Sequence, residues 1–583
     1  ATAMLYPMYT VQAELLLQMM TIEAHEVLKA RGDAVIFDES MGSAAFVSHQ
    51  WVARNHPDPD FEQMRVFKEA MSHLLYRRGS ISVDFVTESF VPSAKGILHE
   101  EFQARPLFIW YDYFSVPQTA VQGRQRAEGI NTIPAYVAKC RFFFALCPTI
   151  ECPTQGKVLT AASWSARGWC RLERAARELS AHDSWVLVRS STSFHVVGTA
   201  VSFVSGSVGE GEFTVEEDRQ KLAPVMKSVV DKKLLLALEA GDLPAYRRHL
   251  SLQTVHLRGL EIEPALSFLP SDEANQKSGD SVTMFLHQYR LTKVKGKDAA
   301  GFCPLHYAAM SGNSQVVGGL LARRADPNRR TTKSEPKLGF PLWMSALDLA
   351  IFYKHNDAAR LLIAARARLE GGINTSMHLA AISNNAEGLC LLRAAGGNPW
   401  TRNLFGQLAF QVAALYGSMA AMEELLVQAQ YGPQQFGVAL HGAMANCGGS
   451  AELVELLISL RADVDFQFDC RRDLTRIGRL FGVAETLKHR VGRRSALSLL
   501  AYHNHGQTPL MAAMQGAQYE AAAALIAAGA RLDIRNSQNW TAEDFCRGQE
   551  IPAFLQKGLE GDPEECRRVA SLALPDGYLE VPF

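Results

Sequence analysis

The stretch Gly301-Phe-Cys-Pro-Leu-His-Tyr-Ala-Ala-Met310 decides the fold of the C-terminal half of this 583-residue chain. It predicts a turn followed by a short helix, with a proline in the first turn, where the missing N–H costs nothing. A Gly-Asn break, a second helix ending in Leu320-Leu321 and a polar hairpin at 325–328 follow. Such a helix pair has an apolar face too large to leave in water and too small to fold alone, so neighbouring copies must stack.

The same unit recurs along the chain. Its first helices contain the segments 346–350, 377–380, 410–413, 440–443 and 508–513, and its second helices contain 360–362, 389–392, 424–426, 455–457 and 524–526. Each first helix carries a small residue that lets two helices approach closely: Ala308, Ala350, Ala380, Ala413, Ala443 and Ala513. We therefore predict that residues 233–560 form stacked antiparallel helix pairs with these alanines buried.

Cys303-Pro-Leu-His306 and Thr508-Pro-Leu510 resemble the ankyrin repeat, whose signature is Thr-Pro-Leu-His-x-Ala at a period of ~33 residues. The resemblance implies an all-α solenoid over 233–560 that binds a partner protein on its concave surface. The repeat period is interrupted by insertions at 251–298 and 466–507, and a tail follows at 561–583.

The insertion at 466–507 is rich in arginine and lysine, which leaves two interpretations open. It is either a basic patch for an acidic partner or nucleic acid, or a solvated helix. In the second case Leu474, Ile477, Leu480, Phe481 and Leu487 pack on the repeats. Aromatic residues that would stack on bases are scarce in this insertion, so nucleic acid is not expected as a partner.

Before residue 230 the pattern changes to apolar strands alternating with helices, which is typical of an α/β domain. The predicted strands are 44–48, 107–112, 141–147 and 184–188. Runs this apolar indicate neighbouring strands of a parallel sheet that is covered on both faces.

The order of these elements, with Ala45-Phe-Val-Ser48, Ile109-Trp-Tyr-Asp112 and Ser165-Ala-Arg-Gly-Trp-Cys-Arg-Leu-Glu173, resembles the Toll/interleukin receptor (TIR) domain. Incompatibility-type domains related to TIR have a similar arrangement. The resemblance implies a flavodoxin-like α/β domain over 41–205. We expect a helical extension at 1–40, with a helix over 11–30, and a linker at 206–232.

In TIR enzymes the glutamate of the Trp-Cys-x-x-Glu segment is the catalytic residue that cleaves NAD, which implies Glu173 here. The nucleotide-binding positions would be Ser48, His49, Gln50 and Trp51, together with Asp112 and Trp169. Ser48, His49 and Gln50 end a strand, where open α/β sheets place ligands. Trp169 lies one helical turn before Glu173 and on the same face.

The alternative function is a non-catalytic scaffold or adaptor, or a structural subunit of a larger assembly, in which Glu173 pairs with Arg167 or Arg171. NAD is the expected substrate if the domain is an enzyme, and no cofactor is expected in either case. Cys140, Cys147 and Cys152 lack the paired spacing of a zinc site, so no metal is predicted. Homo-oligomerisation through the TIR-like domain is a further expectation.

The composition is that of a soluble globular protein, with 59 Lys and Arg against 60 Asp and Glu. Ten cysteines are dispersed over the length, which favours a reduced, intracellular and most simply cytoplasmic protein. Import into an organelle after removal of a targeting segment is also compatible with the sequence. No apolar run approaches the ~20 residues needed to cross a bilayer.

Overall fold

The computed structural model describes residues 4–574 except 92–93, 120–121, 153–155, 199–202, 266–279, 335–341 and 447. The chain divides into two compact units. One comprises Thr199–Ala413 and Ser418–Gln430, and the other comprises Thr2–Gly198, Ala414–Gly417 and Tyr431–Phe583. The α/β region and the last repeats therefore share one unit.

The core of the α/β region is a seven-stranded sheet in the order β11-β10-β7-β3-β6-β1-β2. Its strands are β1 Tyr9–Gln12, β2 Ala34–Ile36, β3 Ser43–Ser48, β6 Leu107–Trp110, β7 Phe142–Leu146, β10 Trp185–Val188 and β11 Phe194–Val197. The four strands β10, β7, β3 and β6 are parallel neighbours, which confirms the predicted arrangement of the central sheet. Every residue of these four strands is buried, as expected for a sheet covered on both faces.

The edges of the sheet are antiparallel, so the sheet is mixed rather than wholly parallel. Strand β11 pairs with β10, and β1 lies between β6 and β2. The predicted helical extension at 1–40 is therefore wrong in part, because this segment supplies two strands. Its helix over 11–30 divides into α1 Ala13–Gln18 and α2 His25–Arg31. Val11, a β-branched residue opposite Ile109 in the sheet, is fully buried as part of β1.

Helices and two small hairpins surround the sheet. The helices are α3 Glu62–Tyr76, α4 Phe85–Phe90, α5 His99–Gln103, α6 Asp112–Ser115, α7 Gly123–Lys139, α8 Ala161–Ala166 and α9 Gly168–Glu178. The hairpins pair β4 Ser80–Ile81 with β5 Ile97–Leu98, and β8 Ile150–Cys152 with β9 Lys157–Leu159.

The predicted linker at 206–232 is mostly helical. Helix α10, Glu217–Glu239, begins inside this segment and continues into the repeats. Leu222, Met226, Val230 and Leu234 recur at helical spacing and are buried. Their burial in tertiary packing outweighs Pro224, the residue that disfavours a helix there.

The first unit contains helix pairs that stack on one another. After α10 its helices are α11 Leu243–His256, α12 Ser281–Gln288, α13 Pro304–Ser311, α14 Ser314–Ala322, α15 Ala346–Phe352, α16 Asn356–Ala364, α17 Ser376–Ile382, α18 Ala386–Ala394, the start of α19 Ala409–Tyr416, and α20 Met419–Gln428. Consecutive first helices α13, α15 and α17 pack directly against each other. Ala308, Ala350, Ala380 and Ala413 are fully buried, as predicted.

The second unit contains the remaining repeats. Its helices are α21 Pro433–Ala445, α22 Ala451–Ser459, α23 Cys470–Asp473, α24 Arg476–Arg490, α25 Ala496–His503, α26 Pro509–Gln515, α27 Tyr519–Ala527, α28 Ala553–Leu559 and α29 Glu564–Ala573. Helix α21 packs on α26 and α22 packs on α27, so the stack continues across the insertion at 466–507. Ala443 and Ala513 are fully buried there.

The insertion does not adopt the predicted packing. Ile477, Leu480, Phe481 and Leu487, which were expected to cover the repeats, are all exposed. Helix α24 instead contacts α25 through a different face that contains Gly478 and Glu485. The hydrophobic pattern correctly indicated an amphipathic helix, but its period does not specify which face is buried.

Candidate functional site

The predicted site residues lie where two parallel strands end. Ser48 is the last residue of β3, and His49, Gln50 and Trp51 follow it. Asp112 begins α6, just after β6. Because β3 and β6 are parallel neighbours, their carboxyl ends meet at one edge of the sheet, the usual position of ligand sites in such folds.

Glu173, in helix α9, contacts this edge directly. The Ser48 hydroxyl donates a 2.5 Å hydrogen bond to Glu173 Oε2, and it accepts one of 2.9 Å from Trp164 Nε1. Both hydrogen-bonding roles of Ser48 are therefore used, which fixes its hydroxyl between the indole and the carboxyl group. Two residues that the TIR resemblance assigned to one site are therefore in direct contact.

His49 and Asp112 form a second cluster beside the first. His49 Nε2 donates to Asp112 Oδ1 at 2.9 Å, and Trp51 Nε1 donates to Asp112 Oδ2 at 2.8 Å. His49 Nδ1 lies 3.3 Å from the Gln50 carbonyl oxygen, and its ring stacks on Tyr111 with centroids 4.0 Å apart. Since both ring nitrogens face acceptors, a protonated imidazolium satisfies this arrangement better than a neutral ring.

The pKa values of the two carboxyl groups, Glu173 and Asp112, are shifted in opposite directions. Burial raises the pKa of Glu173 to about 8, against the lowering effects of the Ser48 hydrogen bond and of His49. Burial also tends to raise the pKa of Asp112. The charge and hydrogen bond of His49 outweigh this effect, so the net pKa of Asp112 is lowered. Burial lowers the pKa of His49, and attraction to Asp112 exceeds that effect, so its net pKa is raised.

The Asp112 side chain retains 32% of its accessible surface, although desolvation is the largest single influence on its pKa. Glu173 is likewise only partly buried. Both carboxyl groups are therefore packed against protein and still accessible to solvent, as the groups of a ligand site must be. The site thus combines a carboxyl group whose pKa is lowered, an imidazole whose pKa is raised and a glutamate whose pKa is about 8.

Gln50 and Trp169 are the two remaining positions that were predicted to bind a nucleotide. Gln50 is buried and donates from Nε2 to the Thr160 carbonyl oxygen at 3.0 Å, while Gln63 Nε2 donates to its carbonyl oxygen at 2.8 Å. These bonds make Gln50 a support for the loop after β3. Trp169 is partly buried one turn before Glu173 in α9.

Sequence reasoning missed the residues that hold the site in place. Trp164 orients Ser48, Tyr111 supports the His49 ring, and the Cys170 thiol lies 3.6 Å from the His49 carbonyl oxygen. Trp164 immediately precedes the quoted segment that begins at Ser165, and an aromatic residue there was the available signal. The contacts themselves join residues that are between 62 and 121 positions apart and cannot be predicted from the local sequence pattern.

Arg171, considered as a partner of Glu173, directs its Nε to the Ser165 carbonyl oxygen at 2.6 Å. Its charge is therefore engaged with the turn between α8 and α9.

Within the described residues, no group of three or more His, Cys, Asp or Glu side chains is placed to hold a metal ion. In the same part of the chain, no helix is both long enough and apolar enough to cross a membrane.

Comparison with known proteins concerns the repeats. Residues 300–332 and 505–537 match the family model of the ankyrin repeat. The chain thus contains ankyrin repeats, a class of module associated with binding other proteins.

A human protein, transient receptor potential cation channel subfamily A member 1, is 28% identical over 184 residues. This match covers 29% of the present chain and only 15% of the channel. Among solved structures, the human ASB11 ankyrin repeat domain is 22% identical and aligns with a TM-score of 0.32, covering 44% of this chain and 97% of that domain.

Proposed function

We propose that the α/β region is a TIR-like effector domain that hydrolyses NAD, and that the ankyrin repeats recruit or regulate it by binding another protein. The observation that carries this proposal is the contact between Glu173 and Ser48 at the carboxyl edge of the parallel strands, beside the His49–Asp112 pair. The incompatibility-type relative of TIR remains the alternative assignment of the domain.

The chemistry of NAD cleavage suits a site with one available carboxylate. Nicotinamide leaves as a neutral molecule from a cationic glycoside, so the reaction requires no general acid, unlike the paired-carboxylate reactions of ordinary glycosidases. The ionised Glu173 would hold the ribose hydroxyls and stabilise the positive charge that develops on the sugar. Water then completes the hydrolysis at the sugar carbon.

The neighbouring residues have supporting roles in this proposal. Ser48, fixed by Trp164, orients the Glu173 carboxyl group. A cationic nicotinamide ring beside Glu173 would favour its ionised form and lower its pKa from the value in the free site. Asp112, partly exposed and ionised, keeps His49 charged and offers a second anionic surface to the substrate.

The repeats supply the recognition part of the proposal. Stacked ankyrin helix pairs present an extended surface on which a partner protein binds. The nine cysteines of the described residues are all free thiols, which supports an intracellular compartment, the cytoplasm in the simplest case. Clustering through the TIR-like domain is part of the same proposal.

A non-catalytic scaffold is the second candidate, and one observation favours it. The α/β region and the last repeats pack in one compact unit. Glu88 Oε2 accepts a 3.0 Å hydrogen bond from the Leu497 N–H, and Arg189 Nη1 donates to the Gly516 carbonyl oxygen at 3.1 Å. Close packing of this kind favours a structural subunit over two modules that act independently.

The deciding experiment measures NAD turnover by the full chain, with and without an appended tetramerising coiled coil. Glu173→Gln should lower turnover by about 10²-fold or more, because the amide keeps the shape and loses the negative charge. The matched control is Glu520→Gln, which changes another glutamate whose pKa is raised by burial and should leave turnover unchanged.

The melting temperature of both variants completes the test. Absence of turnover by clustered wild type, together with a lower melting temperature for Glu173→Gln, would establish the scaffold and end the enzyme proposal.

A further inference from the structure

Helix α24, Arg476–Arg490, shows an inverted amphipathic pattern. The face that meets α25 is small or polar: Gly478 and Glu485 are buried, and His489 stacks on Tyr502 with ring centroids 4.5 Å apart. Thr486 Oγ1 on this side donates to the Ala501 carbonyl oxygen at 3.3 Å. The protein-facing side therefore has polar contacts where a surface helix ordinarily buries its apolar residues.

The outward face is aliphatic. Ile477, Leu480, Leu487 and Val491 follow one another at spacings of three, seven and four residues, which is one face of a helix. Their exposed fractions are 54%, 73%, 55% and 73%, and that of the adjacent Val483 is 59%. Leu480 is two residues beyond Gly478, a rotation of about 200° around the helix, so the aliphatic face points directly away from the protein.

Cations accompany this face. Between residues 471 and 494 there are eight Arg and Lys against two Asp and Glu, in a chain whose net charge is −1. Arg476, Lys488 and Arg490 are exposed on the same helix, and Arg493 and Arg494 follow it in exposed positions. One of the two acids, Glu485, is buried and paired with Lys488, so it contributes little negative charge to the outer surface.

We propose that α24 is a membrane-surface helix that inserts its aliphatic face into an anionic lipid leaflet, with its Arg and Lys side chains at the headgroups. An apolar face bordered by cations complements such a leaflet in both hydrophobicity and charge. The exposed aliphatic side chains favour lipid over an acidic protein, because a leaflet takes up both the aliphatic face and the cations, whereas acidic side chains would pair with the cations alone. Such binding is peripheral and requires no spanning helix.

The test is sedimentation of the full chain with vesicles of phosphatidylcholine alone or with 30% phosphatidylserine. Wild type should bind the anionic vesicles, and binding should weaken as salt screens the charges. Leu480→Gln with Val491→Gln should reduce the partition coefficient at least about tenfold by removing apolar insertion. Arg476→Gln with Arg490→Gln should reduce it about 25-fold, about fivefold for each cation.

Matched controls change equally exposed side chains elsewhere. Met20→Gln with Val427→Gln replaces two apolar residues that are 81% and 82% exposed. Arg124→Gln with Arg531→Gln removes two exposed cations. Both controls should bind anionic vesicles like wild type, and all four variants should keep the wild-type melting temperature because the substituted side chains are solvated.

Failure of wild type to bind anionic vesicles, or equal binding by the α24 variants and the controls, overturns the proposal. Binding of a poly-glutamate helix without vesicle binding also overturns it and assigns the surface to an acidic protein.

Discussion

The α/β region and the repeats each contain a desolvated glutamate with a raised pKa, and the two glutamates have different surroundings. In the repeats, Glu520 is 7% exposed and accepts a 2.8 Å hydrogen bond from the Ala451 N–H at the start of α22. Burial raises its pKa to about 7. In the α/β region, Glu173 accepts from the Ser48 hydroxyl and remains partly open to solvent. Glu520 caps a helix, whereas Glu173 is placed where a ligand can reach it.

Two histidines extend the comparison. His378 of the repeats lies 2.7 Å from the Thr375 hydroxyl and 2.9 Å from the Gln407 carbonyl oxygen, and burial lowers its pKa to about 4. His49 is similarly buried, but its partner is the Asp112 carboxylate and its pKa is raised. The same residue type thus has a lowered pKa among neutral partners in one region and a raised pKa beside a carboxylate in the other. A shifted pKa alone does not identify a functional site. The charged partner of the group and its access to solvent are also needed.

The largest expected difference between the two glutamates is in the pH dependence of NAD turnover. If the ionised Glu173 is the working form, kcat/KM should rise about tenfold per pH unit below about 8 and level off above it. The Glu520→Gln variant should give the same profile. A rate that stays flat between pH 6 and pH 9 would contradict the assigned role of Glu173.

The second effect concerns stability and Glu520. Its pKa rises on folding from 4.5 to about 7, so the folded state holds a proton that the unfolded state releases. The stabilisation that this proton adds to the free energy of unfolding is complete below pH 4.5. It declines as the pH rises to about 7, by at most about 3 kcal/mol. Glu520→Gln should remove this part of the pH dependence of the unfolding free energy, measured in urea. Identical pH dependence in both proteins would show that Glu520 is not desolvated.

A third change tests the close packing of the repeats. Ala443→Leu inserts bulk at a fully buried position between stacked helices and should cost about 1–3 kcal/mol of unfolding free energy. Ala364→Leu, at an exposed position of α16, is the control and should change stability by less than about 0.5 kcal/mol. If the two variants are equally stable, the interface at Ala443 is loose.

The smallest effect is at a repeat turn. Arg366, after α16, has a φ of 62°, a left-handed conformation that costs a non-glycine residue roughly 1 kcal/mol. Arg366→Gly should therefore raise the unfolding free energy by up to about 1 kcal/mol. Arg368→Gly, two residues later and outside the left-handed region, should lower it slightly through backbone entropy. Destabilisation by both variants would mean that the Arg366 side chain stabilises the turn.

Most of the repeat region was predictable from the sequence because its contacts are local and recurrent. Cys303-Pro-Leu-His306 and its later copies specify helix pairs, and the period of the small alanines specifies which faces meet. The four parallel strands were also predictable from their apolar runs. The strands at 9–12 and 34–36 were not, because β1 pairs with β6, about a hundred residues away, and β2 joins the sheet by pairing with β1.

The sequence by itself determined the ankyrin repeats and the parallel core of the sheet, which follow from local periodicity, and the candidacy of Ser48, which ends a strand. Glu173 became a candidate through the resemblance to the TIR domain. Only the tertiary structure decided that Trp164 and Tyr111 hold the site, that 217–239 is helical, and that the aliphatic face of α24 points outward. The physical reason is that hydrophobic periodicity defines the faces of an element, whereas burial depends on which distant element packs against each face.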